Sequence, residues 1–276
     1  MSLQFLRIVL TILALCFGAT LHAEDITTTD GQTYNNSSFR RSGELLMIKV
    51  TMEGGGGSVE MGLPLSRIAK VSFAEPPELA KAILAATKGN ATEVLSLTGD
   101  YVSHQSDFKD VPGSWWPEMA RLRLLALAAL GQDVECTELA RQIGAMKSPL
   151  MESLSRAGTL FSALSSSDLS AVLVGAKSLP RLGGDQGSAL AQLVLGRALL
   201  QKKDYPGALR AFLTIKVFYP SVALLQPPAL AGAAEAYIGL KDEKRAAVSY
   251  GDIIKDWPDS PQALAAKKKA AAITLP

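Results

Sequence analysis

The alternation of apolar and polar positions changes its period near residue 75. Upstream of that point, apolar side chains recur at every second position, most clearly at Val59, Met61, Leu63 and Leu65. A period of two places these side chains on one face of a β-strand. Glycine-containing turns separate five such stretches, which are residues 26–29, 33–39, 44–52, 58–65 and 68–73.

Five short strands predict a small closed barrel over residues 24–74. An open sheet of this size leaves two edges unpaired, which is unfavourable in a small domain. By strand count and turn spacing, the segment is similar to an SH3-like barrel. The glycine run at residues 54–57 lacks the Lys-Ser/Thr ending of a phosphate-binding loop, so we interpret it as a hairpin tip.

After the prolines at positions 76 and 77, the apolar positions recur every three or four residues, and alanine and leucine dominate. Both features are typical of amphipathic helices. Within residues 78–184 the predicted helices are 78–88, 91–105, 117–130, 134–147, 151–164 and 168–179. A final helix at residues 261–273 carries three consecutive lysines, and we expect it to cap the helical array.

Six positions of residues 185–276 recur at an offset of 38 residues. The first set is Gly196, Leu199, Ala208, Phe212, Ile215 and Pro220, and the second is Ala234, Tyr237, Ala246, Tyr250, Ile253 and Pro258. Small residues let two helices cross closely, so Gly196 is expected to face Ala208, and Ala234 to face Ala246. Proline cannot continue a helix, so each proline marks the end of a second helix.

These two sets resemble the tetratricopeptide repeat (TPR), whose unit of about 34 residues has the same order of small, aromatic and proline positions. The longer offset places about four extra residues between units, at residues 221–225. The resemblance implies stacked antiparallel helical hairpins. Two repeats cannot bury their own apolar faces, so we interpret residues 78–184 as three degenerate hairpins of the same solenoid.

Repeats of this family bind partners in a concave groove that the first helix of each hairpin lines. Carried over by position, the groove of this chain consists of Leu193, Arg197, Leu200, Gln201, Ala231, Glu235 and Ile238. The Lys and Asn set with which one subclass clamps a peptide carboxylate is absent from these faces. Arg197 and Glu235 also fit a second interpretation, as solvated surface charges.

The first 23 residues have the features of a secretory signal peptide. Arg7 precedes an apolar core at residues 8–17, which is too short to span a bilayer, and Ala23 is the small residue that signal peptidase requires. Leu15 is too large to precede a lipidated Cys16. Cleavage after Ala23 predicts a periplasmic or secreted protein without a transmembrane helix.

Composition argues against several kinds of chemistry. Lys and Arg total 28 against 26 Asp and Glu, and no basic cluster suggests nucleic-acid binding. Beyond the leader there is one histidine, His104, and one cysteine, Cys136, too few for a catalytic triad or a transition-metal site. No nucleotide-binding motif is present. We therefore predict a non-enzymatic protein without cofactor or metal, in which Trp115 and Trp116 pack at a helix start.

The sequence as a whole predicts an α+β multidomain protein, with a small barrel followed by an all-α, TPR-like solenoid. Its predicted function is that of an exported adaptor that binds another envelope protein or peptide. Binding is expected in the helical groove, or by strand addition at a sheet edge. The alternative is a cell-wall or polysaccharide-binding protein that works through the barrel.

Overall fold

The computed structural model of the chain describes residues 21–51, 57–146, 148–165, 169–179 and 185–273. The chain forms two compact units. The first unit comprises the described part of Met1–Pro76 together with Val102–Trp116, and the second comprises Pro77–Tyr101 and the described part of Pro117–Pro276. The α+β organisation is thus confirmed, with the strands preceding the helices. Most of the expected leader, residues 1–20, lies outside the described residues.

One antiparallel sheet organises the first unit. Its strands are β1 (Leu21–Thr28), β2 (Thr33–Ser42), β3 (Leu45–Thr51), β4 (Ser58–Pro64) and β5 (Ile68–Phe73). Their order across the sheet is β4-β3-β2-β1-β5. All five strands lie where the alternating pattern predicts them, and a short 3-10 turn, Leu65–Arg67, joins the last two. β1 begins three residues before the predicted mature start, and Ala23 pairs with Ser37 and Phe73.

The predicted closed barrel is wrong, because the sheet is open. β4 and β5 are its outer strands, and within the described residues they do not pair with each other. Instead, a segment from later in the chain covers β5: the amide of Val71 donates to the carbonyl oxygen of Pro112 at 2.8 Å. Gly113 makes this approach possible, since its φ is +94° and a Cβ there would lie 2.1 Å from the oxygen of Val71.

Aromatic side chains fill the core of the first unit. Phe39 meets Phe73 and Phe108 edge to face, with ring centroids 5.5 Å apart in both pairs. The two adjacent tryptophans turn inward as predicted: Trp116 is fully buried. The indole of Trp115 donates to the oxygen of Phe73, and that of Trp116 to the oxygen of Val102.

The remaining elements are helices. They are α1 (Leu79–Thr87), α2 (Ala91–His104), α3 (Trp116–Leu130), α4 (Asp133–Gly144), α5 (Pro149–Thr159), α6 (Ser170–Ser178), α7 (Asp185–Gln201), α8 (Tyr205–Phe218), α9 (Gln226–Gly239), α10 (Glu243–Asp256) and α11 (Pro261–Ala272). The first six lie within a few residues of the sequence prediction. α5 ends at Thr159, earlier than the predicted residue 164, because the chain continues there as a 3-10 helix, Leu160–Ser165. Within the described residues, no helix is both long and apolar enough to cross a membrane.

The helical hairpins α7–α8 and α9–α10 repeat at the predicted offset of 38 residues. α8 and α10 begin at Tyr205 and Glu243 and end two residues before Pro220 and Pro258. In each hairpin an aspartate caps the second helix, and the residue before it has positive φ. The aspartates are Asp204 and Asp242, and the positive-φ residues are Lys203 and Lys241. The extra residues between the hairpins include a 3-10 turn, Ala223–Leu225.

In the second unit, the last helix contacts helices from the beginning of the array. The side-chain amide of Gln262 in α11 donates to the carbonyl oxygen of Ala129 in α3 at 2.9 Å, across 133 positions of sequence. Gly89, after α1, lies so close to the ring of Trp257 that a Cβ would be 2.9 Å from it. The C-terminal helix therefore covers residues of the early helices as well as the end of the last repeat.

α3 lies at the centre of this arrangement. All residues from Leu124 to Ala129 are buried, and Met119, Ala120 and Leu122 are buried as well. A helix that is apolar on every side has to be surrounded by protein. The absence of a single apolar stripe in α3 is the sequence signal for this central position.

Candidate functional site

The inner helices α3, α7 and α9 leave two open concavities in the second unit. α3 and α7 run side by side in the same direction, because Arg121 contacts Gln186 near their starts and Ala128 contacts Arg197 near their ends. Between these points Leu193 of α7 is fully buried. A partner can therefore reach the inner helices near either end.

The Arg197 cavity lies between the carboxyl ends of α3 and α7 and the first ten residues of α9, and it has a volume of about 220 Å³. It is lined by Ala129 and Leu130 of α3, Arg197 and Leu200 of α7, Phe212 of α8, Pro228, Ala231, Gly232 and Glu235 of α9, and Gln262 of α11. Most of these side chains are apolar, while one cation, one anion and one amide supply polarity. Such a mixture is typical of pockets that bind small molecules or peptide side chains.

Arg197 holds two helix ends together. Its guanidinium donates to the oxygen of Ala128 at 2.7 Å and to a carboxylate oxygen of Asp133 at 3.2 Å. The Phe161 ring lies under it, with the ring centroid 5.3 Å from Cζ. The interpretation of Arg197 as a solvated surface charge therefore does not fit these contacts. The cation closes the α3–α4 turn.

Burial shifts the pKa of both members of this ion pair. Desolvation lowers the pKa of Arg197, and the charge of Asp133 opposes that change. Desolvation likewise raises the pKa of Asp133, while Arg197 lowers it and Glu135 raises it further. In both groups the loss of water outweighs the attraction between partners, as expected for a pair withdrawn from solvent. The pair therefore serves to orient the turn more than to add stability.

Glu235 and Gln262 form the polar rim of the cavity. Lys269 of α11 donates to the Glu235 carboxylate at 2.6 Å. This hydrogen bond is the largest cause that raises the pKa of Lys269. Gln262 uses its amide hydrogen on Ala129, and its Oε1 is buried without a hydrogen-bond partner among the described residues. α11 therefore contributes to the cavity wall in addition to capping the last repeat.

The structure brings some of the predicted groove residues together and separates others. Arg197, Leu200, Ala231 and Glu235 share the Arg197 cavity. Leu193 is completely buried and offers no surface to a partner. Gln201 and Ile238 lie outside this lining and are exposed near the ends of α7 and α9.

The repeat positions are core residues rather than binding residues. Gly196 packs against the Phe212 ring, and Gly232 of the next hairpin packs against the same ring. A Cβ added at Gly196 would lie 2.5 Å from the ring, and one added at Gly232 would lie 2.4 Å from it. Gly196 thus packs against an aromatic ring, and Ala208, its expected facing residue, is fully buried. In the second hairpin Ala234, Ala246, Tyr250 and Ile253 share one core cluster, and Tyr237 packs on it. Leu199 is likewise partly buried against the first hairpin, whereas Pro220 and Pro258 are exposed in the following turns.

Sequence reasoning missed a second concavity. The Arg121 cavity, of about 190 Å³, lies at the amino ends of α3 and α7, beside α1 and the segment before α9. Arg121 forms an ion pair with Glu118 and donates to Oε1 of Gln186 at 2.9 Å. Ile83, Leu122 and Leu125 supply apolar walls. The signal in the sequence was the spacing of three residues between Glu118 and Arg121 in an otherwise apolar helix.

Within the described residues, no three His, Cys, Asp or Glu side chains cluster as a metal site would require. His104 is exposed at the end of α2. Comparison with protein families, curated proteins and solved structures gives no match for this chain. Functional inference therefore rests on the geometry of the cavities and on the repeat pattern.

Proposed function

We propose that the protein is an exported, non-enzymatic adaptor that holds a peptide segment of another envelope protein in the Arg197 cavity. The observation that carries this proposal is the cavity itself, where the end of α7, the first part of α9 and α11 come together. Its apolar walls suit an aliphatic or aromatic side chain of a partner. Glu235 at the rim suits a cationic or amide donor next to that side chain.

The resemblance to TPR proteins supports the proposal. Helix ends, aspartate caps and positive-φ lysines repeat together at 38 residues, so the repetition extends beyond the aligned core positions. Members of that family bind peptides on their inner helices, and Leu200, Ala231 and Glu235 lie on the inner helices here. The proposed partner surface contains fewer residues than the groove carried over from the family. Leu193 is buried, and the hydrogen bonds of Arg197 are made within the chain.

Site-specific photocrosslinking tests the binding surface. A photoreactive amino acid at Leu200, which lines the cavity, is compared with the same amino acid at Val217, an exposed residue of α8. In envelope preparations we expect a discrete crosslinked band from position 200 only, and loss of that band when Glu235→Arg is added. Equal crosslinking at position 217, or a band insensitive to Glu235→Arg, contradicts the assignment of the cavity.

Export is tested by the N-terminal sequence of the protein recovered from the cell envelope. Cleavage after Ala23 gives Glu24 as the first residue. The pairings of Leu21, His22 and Ala23 with β2 are then lost, and β1 starts near Asp25. Recovery of uncleaved chain from the cytosol alone refutes the export proposal.

A further inference from the structure

β4 is a sheet edge with few of the features that usually prevent edge pairing. Its seven residues pair with β3 in continuous register, and on the other side no described strand pairs with it. Most of the strand is exposed, including Val59 at 47%. Natural edges usually carry charged side chains, especially lysine, a bulge or a central proline, whereas β4 has a single charge, Glu60, and proline at its last position only.

The hydrogen-bond pattern shows which backbone groups of β4 are free to pair. The amide of Leu65 donates to the oxygen of Glu44, which extends the β3–β4 ladder by one pair. Bonded and non-bonded pairs alternate along an antiparallel ladder. Leu63, Met61 and Val59 therefore bond to β3, and the amides and carbonyls of Gly62, Glu60 and Ser58 point outward.

β4 is complementary to a second copy of itself. In an antiparallel pairing centred on Met61, the outward-pointing Glu60 lies opposite Gly62 of the other copy, and Val59 lies opposite Leu63. Each Glu60 carboxylate is already paired with Arg40 at 2.9 Å, and its opposite residue has no side chain. Like charges then do not face each other, and apolar residues extend the core face of both sheets.

We propose that two copies of the chain associate through β4, giving one continuous antiparallel sheet of ten strands, five from each copy. The observations favour a second copy over an unrelated peptide, because the same seven residues satisfy both sides of the pairing. The contact is isologous and closes after two copies. It does not depend on the Arg197 cavity, so the adaptor proposal and the dimer can fail independently.

Light scattering during size-exclusion chromatography tests this proposal. The purified protein should have twice the mass of one chain, and Glu60→Pro should convert it to a monomer with an unchanged circular dichroism spectrum. Proline removes the outward amide of residue 60, which β3 does not use, so the fold is retained. The matched control Glu60→Ala keeps that amide and should stay dimeric.

A cysteine scan in a Cys16→Ser background tests the register. Met61→Cys faces its own copy across the two-fold axis and should give a disulfide-linked dimer on a non-reducing gel, whereas Lys70→Cys on β5 should not. A monomeric wild-type chain at all concentrations overturns the proposal. So does a dimer that Glu60→Pro leaves intact, or one that crosslinks equally well through position 70.

Discussion

At the scale of single residues, Arg197 shows how a predicted binding residue can have a structural role. Its side chain supplies the donor that the carbonyl oxygen of Ala128 needs at the end of α3. Helix ends leave such oxygens without partners inside the helix, and a nearby arginine is one way to satisfy them. The positional comparison with a repeat family located this residue on the inner surface. It could not show that the residue's hydrogen bonds are already used within the chain.

Arg197→Ala should lower the free energy of unfolding by about 1–3 kcal/mol, because it leaves the Ala128 oxygen and the Asp133 carboxylate without their donor. Arg197→Lys should recover only part of this loss, since an ammonium cannot reach both acceptors in the same geometry. Urea unfolding followed by circular dichroism measures the effect. The exposed Arg210 provides the control, and Arg210→Ala should change stability by no more than about 0.5 kcal/mol.

Cys136 is the buried thiol that the sequence predicts. Burial raises its pKa to about 12, with Asp133 adding to the shift and Arg197 opposing it. Burial also raises the pKa of Tyr101 to about 12. In both cases the folded state favours the protonated form. The resulting stabilisation is complete below the ordinary pKa values and is lost as pH rises toward about 12.

Stability should therefore decline between about pH 9 and pH 12, and Cys136→Ala should make the decline shallower. Urea midpoints across that range measure this slope for both proteins. Ellman's reagent at about pH 8 should label Cys136 in the unfolded chain and leave it unmodified in the folded one. Rapid labelling of the folded protein would show that the thiol is accessible.

At the scale of elements, the Phe212 ring between Gly196 and Gly232 sets how closely the two repeats pack. Gly232→Ala should destabilise the protein by about 1–3 kcal/mol, because its Cβ overlaps the ring. Adding Phe212→Leu should reduce the penalty of the alanine, and a double-mutant cycle gives the coupling energy. Additive effects of the two substitutions would mean that the ring does not separate the hairpins.

Gly251 is the control for that experiment, because it lies in α10 with open space around the position of a Cβ. Gly251→Ala should stabilise the protein by up to about 1 kcal/mol through helix propensity alone. A similar loss of stability in both alanine variants would instead show that helical glycines are generally required in this unit.

Most elements could be predicted from the sequence, because their signals are local. The period of two gave the strands, and the 38-residue spacing gave the positions of α8 and α10. The barrel prediction failed because covering β5 requires Pro112 and Gly113, which lie about forty residues further along the chain. The residue pattern of β5 gives no indication that Pro112 will pair with it.

At the scale of the whole chain, the contact between Gln262 and Ala129 distinguishes the helical unit from an open row of repeats. Repeat arrays usually make contacts only between neighbouring units. The periodicity of a sequence predicts contacts between adjacent helices, and it gives no information on a contact between residues as far apart as Ala129 and Gln262. Ala129 and Gln262 both line the Arg197 cavity, and the Arg121 cavity likewise lies where early helices meet later segments, so neither cavity could be located from the sequence.

Gln262→Ala should speed amide hydrogen exchange at the α3–α4 turn as well as in α11, because the Ala129 oxygen loses its donor. Gln201→Ala, at an exposed position in α7, should leave the exchange of that turn unchanged. Mass spectrometry of peptides covering residues 124–136 provides the measurement. An effect confined to α11 would show that its contact with α3 is not energetically significant.

Because Gln262 lies 133 positions after Ala129, their contact can form only late in the synthesis of this unit. A growing chain that has released α3 from the ribosome must add more than a hundred further residues before the partner of Ala129 exists. The second unit can therefore reach its final core only after α11 has been synthesised. A nascent chain arrested before Pro261 should remain sensitive to protease at α3, whereas a chain that includes α11 should be protected there.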